Sequence, residues 1–393
     1  MAKPTYVDRA LPFGLRSAPK IFSAVADMMA WVLHRAGIQH FLHYLDDFLF
    51  FVSPNSKEGA LILDLACKTF ALLGIPVSAH KTEGPTCCIT FLGLLLDSVA
   101  GELWLPADKI HRLRELLREW SGKKSCTRRQ LESFLGHLSH ATTVVRPGRT
   151  FLRELFRQLH HAREPHHFVR LSAGARADIL WWKCLLHLWS GHSFFPSPVV
   201  AYHVYSDASG RWGCGAFVEC MGWFQVAWPA DWQATDISVK ELVPVAIAAA
   251  LWDPLWSGKQ VCFHSDNMAV VAVLQQRSAK SPPLAHLLRC IALFSAFYNF
   301  HFTTEHVPSV HNEVADALSR DRAANVASFV SQAPQFHLPP HLYQFIISER
   351  PDWGSETWTK LFIASLTGVL PHPPGRCMNV ASVASSSFVP SSP

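Results

Sequence analysis

At 393 residues with 49% hydrophobic side chains, the chain has material for two or three domains with sizeable cores, and it is not a disordered polymer. No apolar run reaches the roughly 18 residues that a membrane span needs, and the net charge of +5 is too small for a uniformly basic binder. Met1–Arg9 has no apolar signal-like core, and the ten cysteines show no CxxC spacing. The expectation is an intracellular protein of cytoplasm or nucleus, not secreted, with reduced thiols and neither a disulfide framework nor a zinc site.

In chain order, Leu11-Pro12-Phe13-Gly14-Leu15-Arg16-Ser17-Ala18-Pro19 reads as a Gly/Pro-punctuated loop. A helix follows, with Phe22, Val25, Met29, Val32 and Leu33 near helical spacing and Gly37 closing it. His40–Leu45 and Phe48–Val52 are apolar runs separated by Asp46-Asp47, which predicts a tight hairpin with two carboxylates at its tip. Glu58–Leu73 is an amphipathic helix ended by Gly74, Lys81 follows in a polar turn, and Phe91-Leu92-Gly93-Leu94 predicts a second hairpin. Tyr44-Leu45-Asp46-Asp47, with Leu11–Pro19 upstream of it, resembles the metal-binding hairpin and adjoining loop-helix motif of reverse transcriptases. That resemblance implies metal binding by Asp46 and Asp47. It also implies nucleic-acid contacts at Arg16, at Lys81 near a leaving pyrophosphate, and at Gly93 in a primer-grip turn.

Leu105–Trp120, Thr127–Thr142, Arg149–His160 and Leu171–Trp189 are predicted helices, similar in position to a thumb and connection region. Between Pro106 and Gln130 there are eight basic and three acidic residues, a local excess equal to the formal charge of the whole chain. Lys123, Lys124, Arg128 and Arg129 are its candidate phosphate contacts. Trp181, Trp182 and Trp189 read as packing aromatics. His192–Pro198 reads as a Pro/Ser/Phe linker and a domain boundary.

Three strands are predicted next, Ala201–Asp207, Gly213–Glu219 and Trp223–Trp228, with Cys220-Met221-Gly222 as a turn. An apolar helix with Ser238 as its N-cap carries Glu241, and Pro244 is tolerable only near its first turn. Gln260–Ser265 is a strand ending at Asp266, Pro282–Tyr298 a helix, Asn299–Val307 the last strand, and Asn312–Ser319 a helix carrying Asp316. Four carboxylates on these elements, gathered at one sheet end, repel one another unless hard cations neutralise them, which suits Mg²⁺ or Mn²⁺. Asp207-Ala208-Ser209, Lys240-Glu241-Leu242, Ser265-Asp266-Asn267 and Asn312–Arg320 resemble the four acidic motifs of RNase H. The spacing of His306 before Asn312 and Asp316 resembles that of the family's loop histidine, with His311 a rival for that role.

The implied fold class is α/β (α+β). A truncated reverse-transcriptase palm (1–105) and a helical thumb/connection (106–192) precede an RNase H-like mixed-sheet domain (199–322). A partly disordered tail (323–393) ends the chain, with a short helix near Glu356–Leu366 and a Pro/Ser-rich stretch, Pro371–Pro393. The layout most resembles DIRS-type retroelement polyproteins. The implied chemistry is cleavage of the RNA strand of RNA–DNA hybrids, with two divalent ions about 4 Å apart. Asp207, Glu241, Asp266 and Asp316 hold the ions, His306 assists proton movement, and Glu241 reaches the 2′-hydroxyl. Asn267 and Asn312 join the nucleic-acid contacts. The partner is a hybrid or primer-template duplex, with no membrane and no small-molecule cofactor. Polymerase activity is not expected of this chain alone, because ten residues precede Leu11 and their single acid, Asp8, does not sit in the missing palm motif. The alternatives are a non-catalytic nucleic-acid-binding remnant, an integrase-like nuclease of the same fold, and an RNA-directed DNA polymerase completed from upstream.

Overall fold

The computed structural model describes residues 11–347 except 13, 55–56, 190, 196, 220 and 331. Asp8, Phe13, Cys220, the Glu356–Leu366 helix and the Pro371–Pro393 stretch lie outside the described residues. Two compact units emerge, one from Met1–His111 with Gly191–Phe195, the other from Arg112–Ser190 with Pro196–Pro393. No described helix is long and apolar enough to cross a membrane.

In the first unit, the helix Ala18–Arg35 buries Ala26, Met29, Ala30 and Leu33, the i, i+3, i+4, i+7 stripe of an amphipathic helix. Ile21, Val25, Met28 and Trp31 stay exposed on it. Met29 and Leu33 join Ile38, Ala66 and Phe70 in a small core, closed by Phe41, Phe48 and Phe50 of a hairpin. That hairpin pairs Phe41–Tyr44 with Asp47–Phe50. The sequence placed Asp46-Asp47 at its tip, but the turn is Leu45-Asp46, with Leu45 left-handed at φ 52° and Asp47 opening the second strand opposite Tyr44. A second sheet runs Cys88–Phe91, Leu94–Asp97, Glu102–Trp104 and His192–Phe194, each antiparallel to the next. Leu92 and Gly93 both have positive φ, 49° and 71°, the two-residue turn whose twist matches its strands. His192–Phe194, expected as linker, is therefore a strand, and Trp104 stacks on His192 at 4.5 Å.

The second unit opens with helices. Arg128–Ala141 starts in a capping box, Thr127 accepting from Gln130 N–H while the Gln130 side chain accepts from Thr127 N–H. Ala173–Leu188 starts at Ser172, whose hydroxyl accepts from Ala175 N–H. Trp181, Trp182 and Trp189 are buried, as packing aromatics should be. Asp178, fully buried on this helix, is held by the Arg289 guanidinium at 2.5 Å and by the Glu154 N–H at 3.2 Å.

The rest of this unit is built on a five-stranded mixed sheet. Its elements are β1 (Tyr202–Ala208), β2 (Gly213–Val218), β3 (Gly222–Ala227), α1 (Ile237–Trp252), β4 (Gln260–Ser265), α2 (Met268–Gln276), α3 (Pro282–Tyr298), β5 (His301–His306) and α4 (Glu313–Ser319). The strand order is β3-β2-β1-β4-β5. The first three form an antiparallel meander, whereas β4 runs parallel to both β1 and β5. Parallel neighbours end at the same edge, so the residues that follow β1 and β4 emerge side by side. Nearly every α1 residue is buried, and the helix packs against α3. Pro244 lies in the middle of α1, not in its first turn, and the helix runs on through it. The cap of α1 is Asp236, not Ser238, with the Asp236 carboxylate accepting from Ser238 N–H at 2.8 Å. On the other face α4 lies against β2 and β1, with Ala315 and Leu318 packed on Phe217 and Trp223. Gly215 permits that approach, since a Cβ there would stand 2.4 Å from the Leu318 Cβ. The described residues between 323 and 347 stay on the fold. Phe336 N–H donates to the Trp223 carbonyl at 2.8 Å and Tyr343 Oη to the Ala227 carbonyl at 3.1 Å, covering the β3 edge.

Candidate active site

Three of the expected acids meet where the sheet topology predicts. Asp207 is the penultimate residue of β1, Asp266 directly follows β4, and Glu241 sits in the first turns of α1. One oxygen from each carboxylate lies within 4.8 Å of the other two. Asp207 and Glu241 are buried and Asp266 is half-buried. Burial pushes the Asp207 carboxyl above the usual range, the Ser319 hydroxyl pulls it back, and Asp266 and Asp316 push it further up. Burial, then Asp207 and Asp266, push Glu241 up to about 9 against the pull of the Ala208 N–H. Its Oε2 is buried with no hydrogen-bond partner among the described residues. An unpartnered oxygen inside a cluster of like charges is a costly arrangement, and a bound cation would relieve it.

Asp316 does not join the cluster. Its Oδ1 is gripped by Arg320 through Nε at 2.8 Å and Nη2 at 2.6 Å, both on the exposed side of α4. The sequence gathered four acids; the structure gathers three and sets the fourth beside them in an ion pair. In place of Asp316, α4 sends Ser319, whose hydroxyl lies 2.5 Å from Asp207 Oδ2. Ser309 donates to Asp266 Oδ2 at 2.7 Å, and His306 Nε2 is 3.2 Å from the Asp266 carbonyl oxygen. His311, the rival histidine, is exposed in the turn between β5 and α4.

The turn after Asp207 is built from the inside. Ser209 Oγ accepts from the N–H groups of Trp212 and Gly213 at 2.9 and 3.0 Å. The Lys240 ammonium, buried beside Glu241 in sequence, donates to the Gly210 and Gln233 carbonyls at 2.7 and 3.2 Å. Ser209, Lys240, Ser319 and Arg320 lie inside the acidic motifs but were given no role there, and Ser309 lies outside them.

The expected nucleic-acid contacts divide. Arg16, Lys81, Lys124 and Arg129 are exposed. Lys123 is paired with Glu119 at 2.6 Å and lies over Trp120, and Arg128 is paired with Glu132 at 2.7 Å and also donates to the Ala162 and Arg163 carbonyls. Those two are engaged in holding the helices. Asn312, expected at the duplex, is 1% exposed and donates to the Ser206 carbonyl at 3.0 Å, tying α4 to β1. Asn267 caps α2, its Oδ1 accepting from Ala269 and Val270 N–H. Asp46 and Asp47 are exposed, and among the described residues no third acid joins them in a metal-sized group.

Residues 247–322 match the family described as "Reverse transcriptase-like". That segment contains Asp266 and Asp316 and starts after Asp207 and Glu241. The Gag-Pro-Pol polyprotein of Human T-cell leukemia virus 3 (strain Pyl43) is 26% identical over 171 residues, 43% of this chain and 11% of the polyprotein. That of strain 2026ND is 25% identical over the same length. The chain therefore spans about a tenth of the curated relatives it matches. Among solved structures, the foamy viral protease-reverse transcriptase in complex with dsDNA is 16% identical, covering 76% of this chain and 60% of that one, with a TM-score of 0.38. The same protein in complex with RNA/DNA hybrid is 16% identical over 75% and 38%, with a TM-score of 0.37.

Proposed function

We propose that this chain is a section of a retroelement reverse transcriptase/RNase H polyprotein, of the DIRS type, that cleaves the RNA strand of RNA–DNA hybrids. One observation carries the reading: three carboxylates from β1, α1 and the end of β4 converge within 4.8 Å at one sheet edge. Their donor set fits Mg²⁺ or Mn²⁺, because every ligand is a hard carboxylate oxygen and one of them, Glu241 Oε2, is buried without a partner. When bound by Asp207, Glu241 and Asp266, such ions supply a polarised water and charge stabilisation at the leaving oxygen.

The chain's own residues prepare that site. Ser319 and Ser309 each fix one carboxylate by donating to it, so Asp207 and Asp266 are already oriented. Ala208 N–H orients Glu241 from the backbone. Exposed His306, in contact with the Asp266 carbonyl, is placed to pass a proton between the site and bulk water. Asp316 is half-buried and one ion pair away from the cluster, so release from Arg320 would add a fourth carboxylate. The test is incubation of the purified chain with an end-labelled RNA–DNA hybrid and Mg²⁺. Wild type should cut the RNA strand. Asp207→Asn, which removes a metal-binding charge, should lose at least a hundredfold in rate. Equal cleavage by the two proteins overturns the reading.

A further inference from the structure

A second cluster of ligand-type side chains lies on the same sheet and is made of different chemistry. Cys262 and His264 alternate with Phe263 on β4, so they share one sheet face while Phe263 packs against Trp256 and Phe302 on the other. The β1–β4 register sets His203 directly beside Cys262. One ligand atom from each of His203, Cys262 and His264 lies within 4.8 Å of the other two, and His203 Nδ1 and His264 Nε2 share a hydrogen bond at 2.8 Å. Cys262 and His264 are buried, whereas His203 is exposed, so the group opens to solvent on one side.

We propose that His203, Cys262 and His264 form a binding site for a zinc-class divalent ion, separate from the carboxylate cluster. Two imidazoles and a thiolate are borderline and soft donors, the set that selects Zn²⁺ over Mg²⁺. Tetrahedral Zn²⁺ with bonds of 2.0–2.1 Å to nitrogen needs its nitrogens about 3.3 Å apart. The present pair must open by about half an ångström, which a turn of exposed His203 provides. Glu305 stands on the far side of His264, its carboxylate 4.0 Å from Nδ1. At that distance the carboxylate is not hydrogen-bonded to the ring, and the contact with His203 is what turns Nε2 toward the group. With three protein donors, the fourth position belongs to water. The ion would bolt β1 to β4, the two strands whose ends deliver Asp207 and Asp266.

Cobalt(II) reads this site directly, because a cysteine ligand gives it an intense thiolate-to-metal absorption that carboxylates do not. The full-length chain, with exposed Cys87 and Cys88 replaced by Ser and with Mg²⁺ in excess, is titrated with Co²⁺ and then with Zn²⁺. The expected result is the thiolate band with tetrahedral visible bands at one equivalent, bleached by one equivalent of Zn²⁺. Asp207→Asn should leave both unchanged. Cys262→Ser should abolish the charge-transfer band, and His203→Ala should weaken Co²⁺ binding at least tenfold. His203 is exposed, so that variant tests ligation without disturbing the core, and circular dichroism verifies its fold. No thiolate band in the parent chain, or a band undiminished in both Cys262→Ser and His203→Ala, overturns the proposal.

Discussion

Replacing Glu241 by Gln should make the metal-free protein more stable at neutral pH while destroying its divalent-ion site. The buried Glu241 carboxyl is pushed from an ordinary 4.5 to about 9, by burial first and by Asp207 and Asp266 next. A carboxyl raised in the fold keeps its proton where the unfolded chain has lost it. The resulting penalty is absent below about pH 4, grows as pH rises through the unfolded value, and levels off near pH 9. Each pH unit of that window is worth about 1.4 kcal/mol, so at pH 7 the wild type carries a penalty of about 3 kcal/mol. Glutamine is neutral at every pH and keeps an oxygen for the Ala208 N–H. Its own packing cost does not vary with pH, so the slope of the difference is the diagnostic quantity. Urea unfolding of both proteins in EDTA at pH 5, 7 and 8.5 measures it. The Gln variant should gain on wild type by about 1.4 kcal/mol per unit between pH 5 and pH 8.5. Saturating Mg²⁺ should reverse the ranking, because only the wild type is stabilised by mass action. A difference that stays flat across pH would refute the picture of a carboxyl held protonated by its neighbours.

Ser319→Ala removes the donor to Asp207 Oδ2 and should slow hybrid cleavage by about tenfold to a hundredfold, the worth of a hydrogen bond to a charged group; an unchanged rate would show that Asp207 is oriented by other means. Gly215→Ala drives a methyl into Leu318, 2.4 Å away, and should destabilise the fold by about 1–3 kcal/mol with loss of cleavage as α4 is displaced, measured by thermal melt and hybrid assay. Neutralising exposed Lys124 and Arg129 should reduce the salt slope of duplex binding by about one per lost phosphate contact. Neutralising Lys123 and Arg128, which face Glu119 and Glu132, should leave that slope nearly unchanged while lowering stability.

The sequence was most legible where a single element carries its own pattern. The strand Gln260–Ser265 and the helix Pro282–Tyr298 have the boundaries their apolar runs and flanking Gly, Ser and Pro residues suggested. The order strand, helix, strand put Asp207, Glu241 and Asp266 together because parallel pairing leaves little choice of edge. What stayed hidden depends on partners remote in sequence. His192–Phe194 is a strand only because Glu102–Trp104 is there to receive it, and three residues carry no period of their own. The one-residue error at Asp46-Asp47 arose because an apolar run does not say which residue turns left-handed, and here it is Leu45. Asn312 was expected at the nucleic acid from the resemblance of its motif, yet its amide ties α4 to β1. The His203–Cys262–His264 group has no readable spacing, since its members meet across a strand register and not along a chain.

The parallel seam between β1 and β4 also sets when the site can exist during synthesis. The meander β1–β2–β3 is local and can pair as soon as it leaves the ribosome, with Asp207 standing alone at its end. Its neighbour across the seam is far downstream: His264 meets His203 across 61 residues, and Ser319 reaches Asp207 across 112. Loop closure over such lengths is slow relative to hairpin formation. Until β4 docks, Glu241 has Asp207 but not Asp266 pressing on it, so the full repulsion of the three acids waits for β4. A nascent chain halted before α4 would hold the meander and the α1 segment but have no donor to orient Asp207. Assembly of this centre therefore waits on the arrival of residue 319, which makes the timing of translation part of its chemistry.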